Sequence, residues 1–360
     1  MLNQLIEQLK RNLPLTHEQV TAAVEQLVNE QIPAESKAEF LSALALKGET
    51  IDEIAAFARE LRDRSIQPQL DPETRQREIL DVCGTGGDRL NTFNISTTVA
   101  IIAAAAGVTV AKHGNRAITS QSGSADVLEA LGIRTDLSAD EAAAALREHR
   151  FAFFFAPRYH PAFKHIAPAR KLCAERGQRT IFNFLGPLLN PVRPTAQLLG
   201  VPRPQLCEPI AHVLQTLGVR RGMVVTGRVL NSTAATGTTG NAEQFLDELS
   251  TLGENTIAEF YQDHGFTSAT LSPGEFPLQP AVLSDLTGGD RQENAKIVRQ
   301  ILSGKERGPK RDAVLLNAAA ALFVAGHSRT LVNGWESAGA LVDSGAALGK
   351  LEELVEGMKG

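Results

Sequence analysis

The chain has 360 residues, 43% hydrophobic and 21% charged, the make-up of an ordinary globular protein with two domains or one large one. Lys and Arg number 36 against 41 Asp and Glu, a formal net charge of −5 that argues against a general nucleic-acid binder but allows a local cationic site. Cys83, Cys173 and Cys207 form no disulfide framework, MLNQLIEQLKRNL carries no secretory signal, and the apolar run near 99–111 is too short to span a bilayer, so a cytoplasmic protein away from any membrane is expected.

The first seventy residues carry helical signals only, enough for four helices. Thr16 and Gln19 make a capping box ahead of Val20, Ala23, Val24 and Leu27 at helical spacing. Pro33 opens the next pattern, with Phe40, Leu41 and Leu44 on one face and Gly48 as its stop. Thr50 and Glu53 form a second capping box before Ile54, Phe57, Ala58 and Leu61. A helical domain over 1–72 is expected, completed by helices near 161–190.

The texture then changes. Residues 79–83 read as a strand ending in Gly84-Thr85-Gly86-Gly87, a helix follows over 95–106 with Gly107 as its stop, and 108–111 is a second strand. Strand, glycine loop, helix and strand form a βαβ unit, which implies a parallel sheet. Further strands are predicted at 151–155, 198–201 and 223–226, and helices at 125–131, 139–148, 161–175, 206–217, 293–302, 313–325 and 334–343. A helix pattern is also expected from Thr256, and 227–241 (GRVLNSTAATGTTGN) reads as a surface loop or loose hairpin. The fold class is α/β: a small N-terminal helical domain plus a large α/β domain, 73–360, with a central, mainly parallel sheet.

Four groups of residues carry chemistry. The glycine loop, with Asp88, precedes a helix start at Asn94-Ile95-Ser96-Thr97; backbone N–H groups and a helix N-terminus suit phosphate, although such a loop is as often a plain tight turn. Lys112-His113-Gly114-Asn115-Arg116 follows the next strand and would share a sheet edge with that loop, with Lys112 and Arg116 able to neutralise phosphate. Ser120, Ser122 and Ser124 then lead into another helix. Asp247-Glu248, with a hydroxyl such as Ser96, suits Mg²⁺, although an isolated Asp-Glu pair is more often a solvated one. His160 lies near the start of the helical stretch 161–175 and Arg170 on a later turn of it, where a structural histidine and a surface ion pair are the ordinary readings.

Together these stretches resemble the anthranilate phosphoribosyltransferase family: DVCGTGGDRLNTFNIST (81–97), AKHGNRAITSQSGSADVLEALGI (111–133), FAPRYHPAFKHIAPARK (155–171), RTIFNFLGPLLNPVRP (179–194) and GPKRDAVLLNAAAALFVAG (308–326). The resemblance implies a nucleoside phosphorylase/phosphoribosyltransferase-like fold and a homodimer through the helical part. It implies transfer of the phosphoribosyl group of 5-phosphoribosyl 1-diphosphate (PRPP) to the amine of anthranilate, with Mg²⁺ as cofactor. By motif matching, PRPP would be bound by Gly84, Gly87, Asp88, Thr92, Asn94, Ile95, Ser96 and Thr97, and by Lys112, His113, Gly114, Asn115, Arg116, Ala117, Ile118, Thr119, Ser120 and Ser124. Anthranilate would be bound by Gly84, Asn115, Arg170, His113 and His160, and Mg²⁺ by Ser96, Asp247 and Glu248. The sequence departs from the family pattern in the long threonine-rich run before Asp247.

Two other readings share the architecture. A pyrimidine-nucleoside phosphorylase would carry a Lys-His loop but lack the combined Gly84–Asp88 and Asn94–Thr97 pattern. A non-catalytic, nucleic-acid-binding relative would have lost the phosphate motifs and gained basic surface, contrary to the charge of −5.

Overall fold

The computed structural model describes residues 1–117, 121–230, 243–262 and 265–358. The amino-terminal helices are Leu2–Lys10, His17–Val28, Ala34–Lys47 and Ile51–Asp63, the last three starting directly after Thr16, Pro33 and Thr50, as their local signals place them. Both capping boxes form, and Gly48 adopts φ +85° to close the third helix. Glu53 does more than cap. One carboxylate oxygen accepts the Thr50 N–H at 2.8 Å and Lys47 Nζ at 2.6 Å, while the other accepts the Leu15 N–H at 2.9 Å, so this buried charge ties three segments together.

Val20, Val24, Leu27, Phe40, Leu41, Leu44 and Phe57 are wholly buried, each contributing about 1.5–3 kcal/mol of apolar transfer. They pack in one cluster with Ile166, Ala169, Cys173, Ile181, Phe182 and Leu185, from the middle of the chain. The helix expected over 161–175 is two elements, a 3₁₀ helix Pro161–His165 and an α-helix Ala167–Glu175. Pro168 has no N–H to bond back to residue 164 and its ring would clash there, so the helix restarts with proline in its first turn.

The sheet has strands β1 Ile79–Gly84, β2 Thr109–Gly114, β3 Phe151–Phe155, β4 Ala196–Gly200, β5 Arg221–Val229, β6 Gln244–Leu246, β7 Asn255–Tyr261 and β8 Gly265–Leu271. Their order is β3-β2-β1-β4-β5-β7-β8, with β6 also on β5. From β3 to β5 all neighbours are parallel, and these strands are buried almost throughout, as strands covered by helices on both faces must be. β5, β7 and β8 are antiparallel.

The helix expected from Thr256 is therefore strand β7. Its β-branched and aromatic residues Thr256, Ile257, Phe260 and Tyr261 fit a pleated surface, and Ile257 and Ala258 lie opposite Val225 and Val224. Of the loop or loose hairpin expected over 227–241, Gly227–Val229 are strand and pair antiparallel with β6; residues 231–242 lie outside the described residues. A carboxy-terminal helix, Ala346–Gly357, completes the chain and buries Leu351 and Leu354.

Candidate active site

The chain leaves β1 for β2 and β3 on one side and returns to β4 on the other, so the order of strands reverses between β1 and β4. Ligands of open parallel sheets bind beyond the strand carboxyl ends at such a point. Gly84 and Gly200 face each other in register at those ends. Neither has room for a side chain: a Cβ on Gly200 would lie 1.6 Å from the Asp247 carbonyl oxygen, and one on Gly84 2.9 Å from Asp247 Cγ. The bare strand ends let the Asp247-Glu248 backbone cross directly above them.

That crossing lays the Asp247 carboxylate in the glycine turn. Its Oδ2 accepts hydrogen bonds from the Gly86 N–H, from Thr85 Oγ1 at 3.2 Å and from the Gly87 N–H at 3.3 Å. Gly86, at φ +69°, supplies the left-handed backbone of this turn. The amides read from sequence as a phosphate cradle thus hold a protein carboxylate here. Asp88 accepts the Asp247 N–H at 3.5 Å. Burial, then repulsion from Asp88, raises the Asp247 carboxyl above its usual range; burial, then repulsion from Asp247, does the same to Glu248.

The opposing cation is Lys112, almost wholly buried, whose Nζ donates to the Val82 carbonyl at 2.7 Å and to Ser96 Oγ at 3.3 Å. The backbone N–H of Ser96, in the first turn of helix Ile95–Ala105, opposes the effect of burial on Glu248, and the helix dipole there favours negative charge. Lys112 acts on Glu248 and on Asp81, while Asp88 and Asp247 press on each other, so negative charge is in excess on the oxygen donors. Among the described residues no three His, Cys, Asp or Glu side chains converge as a metal site. Two carboxylates and a hydroxyl are nonetheless a sufficient protein share for Mg²⁺, which keeps waters and phosphate oxygens in its shell.

Two further residues of this network are missed by the sequence reading. Asp81, fully buried in β1, accepts the Asn190 amide at 2.9 Å and the His113 N–H at 3.3 Å, and Asn190 also donates to the Ala111 carbonyl at 2.7 Å. Burial raises Asp81 to about 6, with Asn190 and Lys112 opposing. The available signal was a carboxylate inside the otherwise apolar strand ILDVCG.

The second loop packs tightly on β2. A Cβ on Gly114 would meet Ser124 Oγ at 2.2 Å. The Asn115 carbonyl accepts the Ser124 hydroxyl and the Ala125 N–H, and Asp126 accepts the Ala117 and Gly123 N–H groups. Arg116 is engaged by Glu129 through two bonds of 2.7 and 2.8 Å and by Asp126 at 3.2 Å. Ile118, Thr119 and Ser120 lie outside the described residues. Asn94 does not cap its helix with its side chain. Its amide instead bridges Asn294 and the Ser122 carbonyl, while Thr92 pairs with Thr287, and Ile95 and Thr97 are buried in the first helical turn.

From β2 a row of rings leads into the helical unit. His113 meets His160 edge-on at 5.2 Å, His160 meets Phe163 at 5.1 Å, Phe163 meets Phe182 at 5.7 Å, and the Arg170 guanidinium lies 5.1 Å from the Phe182 ring centre. Both imidazoles are buried. Among the described residues, His113 Nε2 and both ring nitrogens of His160 find no hydrogen-bond partner, and burial lowers the two rings to about 3 and about 4 respectively. Burial also lowers Arg170, and among the described residues no carboxylate pairs with it. Phe163 and Phe182 carried no separate signal in the sequence, because only the fold brings them together.

A family model described as the helical bundle domain of the glycosyl transferase family matches residues 3–65, and one described as its a/b domain matches residues 76–348. The chain is 43% identical over 355 residues to the anthranilate phosphoribosyltransferase of Lacticaseibacillus casei, covering 99% of this chain and 97% of that one. It is 45% identical over 350 residues to that of Roseiflexus castenholzii, covering 97% and 96%. Among solved structures, the anthranilate phosphoribosyltransferase of Thermus thermophilus superimposes with a TM-score of 0.85 at 39% identity, over 99% of both chains. The Saccharomyces cerevisiae enzyme in complex with PRPP and Mg superimposes with a TM-score of 0.80 at 27% identity, over 95% of this chain and 92% of that one.

Proposed function

The chain belongs to the anthranilate phosphoribosyltransferase family, and from that premise we propose how its residues carry out the family reaction. The enzyme transfers the phosphoribosyl group of PRPP to the amine of anthranilate, giving N-(5-phosphoribosyl)anthranilate and pyrophosphate in tryptophan biosynthesis. The observation that carries the assignment of residues is the pairing of two unlike subsites. A glycine turn with buried Lys112 and an acid cluster lies at the β1–β4 switch, and a row of rings runs from β2 to an uncompensated Arg170.

PRPP is held by Gly84, Gly87, Asp88, Thr92, Asn94, Ile95, Ser96 and Thr97, together with Lys112 to Ser120 and Ser124. Backbone N–H groups, a helix N-terminus and Lys112 suit its anionic groups. On this reading the Gly86 and Gly87 amides pass from the Asp247 carboxylate to the diphosphate, which frees the carboxylate oxygens as ligands. Ser96, Asp247 and Glu248 hold Mg²⁺, which when bound offsets the charge gathering on the departing pyrophosphate.

Anthranilate lies against His113 and His160 with Gly84 and Asn115, its carboxylate on Arg170. The amine of an aromatic ring is a weak base, neutral at pH 7, so it needs no strong general base, and the two neutral imidazoles need supply none. Catalysis then rests on orientation and on charges fixed in place. The functional unit is a homodimer through the helical part, where Leu13 and Leu46 expose apolar surface, and it works in the cytoplasm. No helix among the described residues is long and apolar enough to cross a membrane.

The test is the loss of anthranilate fluorescence on mixing, expected only when PRPP and Mg²⁺ are both present. Retained fluorescence, with phosphorolysis of uridine or thymidine instead, would overturn the reading. Arg170→Ala is expected to raise the anthranilate KM about tenfold, the worth of one charge-assisted bond, with the PRPP KM little changed. Unchanged anthranilate kinetics would remove Arg170 from the site.

A further inference from the structure

We propose that Asn317 is a positioning residue for the Asp247-Glu248 pair, acting through the backbone of Leu249; the inference rests on the metal role given to that pair above. Asn317 lies in helix Pro309–Val324, wholly buried among Ala313, Leu316, Ala320 and Ala321. An amide in such surroundings is costly unless its bonds are made. Its Oδ1 accepts the Leu249 N–H at 2.9 Å, and its Nδ2 donates to the Leu249 carbonyl and to the Ala313 carbonyl, each at 2.9 Å.

Two opposed bonds to one residue fix both the height and the tilt of the backbone next to Glu248. Asn255 continues the restraint one residue on, accepting the Ser250 N–H at 2.6 Å and donating to the Ser250 carbonyl at 3.0 Å. On the other side, β6 is only three residues long and Gly84 and Gly200 are bare, so Asp247 is held there by the glycine turn, Thr85 and Asp88. The helical clamp fixes the Leu249 side of the segment, next to Glu248, where the glycine turn does not reach. Without it, Leu249 has two buried backbone groups unpaired, and the carboxylates beside it can slide.

The test is Mn²⁺ binding to the full chain, followed by electron paramagnetic resonance with saturating PRPP. Asn317→Asp keeps the volume and the bond to the Leu249 N–H but sets oxygen against two carbonyls; Asn317→Ala removes all three bonds. Both are expected to weaken Mn²⁺ binding about tenfold, the usual effect of losing an outer support of a metal site. Both should also regain much of their kcat at high Mg²⁺. If the alanine variant is too unstable to purify, the aspartate variant decides. Val24→Ala, which opens a cavity in the helical unit, should lower stability and keep wild-type Mn²⁺ affinity. Wild-type Mn²⁺ affinity in the Asn317 variants, with weakened binding in Asp247→Asn, would overturn the positioning role alone. Wild-type affinity in Asp247→Asn as well would overturn the metal reading and this inference with it.

Discussion

Gly200→Ala is expected to lower kcat/KM by about 100-fold or more in a protein that still folds. The new methyl carbon would stand 1.6 Å from the Asp247 carbonyl oxygen, 2.3 Å from its carbonyl carbon and 3.1 Å from the Glu248 nitrogen. These are backbone atoms, with no flexible side chain to swing aside, so the Asp247-Glu248 segment must lift by well over an ångström. Displacements of that size in positioned groups cost about 10² in rate. The backbone of Gly200 lies outside the left-handed region, so alanine suffers no strain of its own, and the effect is one of space. Gly84→Ala, with contacts near 2.9 Å, should be milder, and Gly349→Ala, with nothing within 4 Å, should leave activity intact. Steady-state kinetics and thermal melts of the three variants make the comparison. Near-wild-type kcat/KM in Gly200→Ala would show that the position of the acidic pair does not matter to turnover.

The parts of the fold legible in the sequence were those set by short-range physics. Capping boxes at Thr16 and Thr50, the stop at Gly48 and the unit from β1 to β2 all depend on residues within one or two turns of each other. What could not be read depends on partners far along the chain. Residues 255–261 are strand because β5 offers Val224 and Val225 opposite Ala258 and Ile257, and a short apolar run has no way to declare that in advance. The break at 166 was legible, since Pro168 stands in plain view. The helical periodicity on either side of it masked a signal that backbone chemistry makes decisive.

The site divides in the same way. Gly84 to Asp88 and Lys112 stood out as a glycine cluster and a basic run at the ends of apolar segments, although β2 extends to Gly114 and so takes Lys112 into the strand. Their actual neighbours did not. Asp81, Asn190 and Asn317 are ordinary polar residues until the fold buries them, and each then holds another group: the His113 N–H, the Asp81 carboxylate, the Leu249 peptide. Arg116 shows the converse. Its sequence neighbours suggest a phosphate ligand, while the structure engages it with Glu129 and Asp126 of the following helix.

Acidification is expected to destabilise the protein through His113 and His160 by about 2 kcal/mol for each ring at pH 5. Both imidazoles have an ordinary value of 6.5 when unfolded, and burial lowers them to about 3 and about 4 in the fold. Below pH 6.5 the unfolded chain therefore takes up protons that the folded chain refuses. The stability they allow is fully present above pH 6.5 and is lost as pH falls toward 4. Asp81, raised to about 6, acts in the opposite sense, losing stability as pH rises from 3.8 to 6, so the whole-protein profile is a compromise. His160→Phe isolates the term, because phenylalanine preserves ring contact with His113 and Phe163 but cannot be protonated. Denaturant melts should show the variant gaining about 2 kcal/mol relative to wild type between pH 7 and pH 5. A difference independent of pH would mean that His160 is free to ionise where it stands. On the proposed reading, a neutral imidazole wall beside Phe163 suits the aromatic ring of the substrate and leaves Arg170 as the cation for its carboxylate.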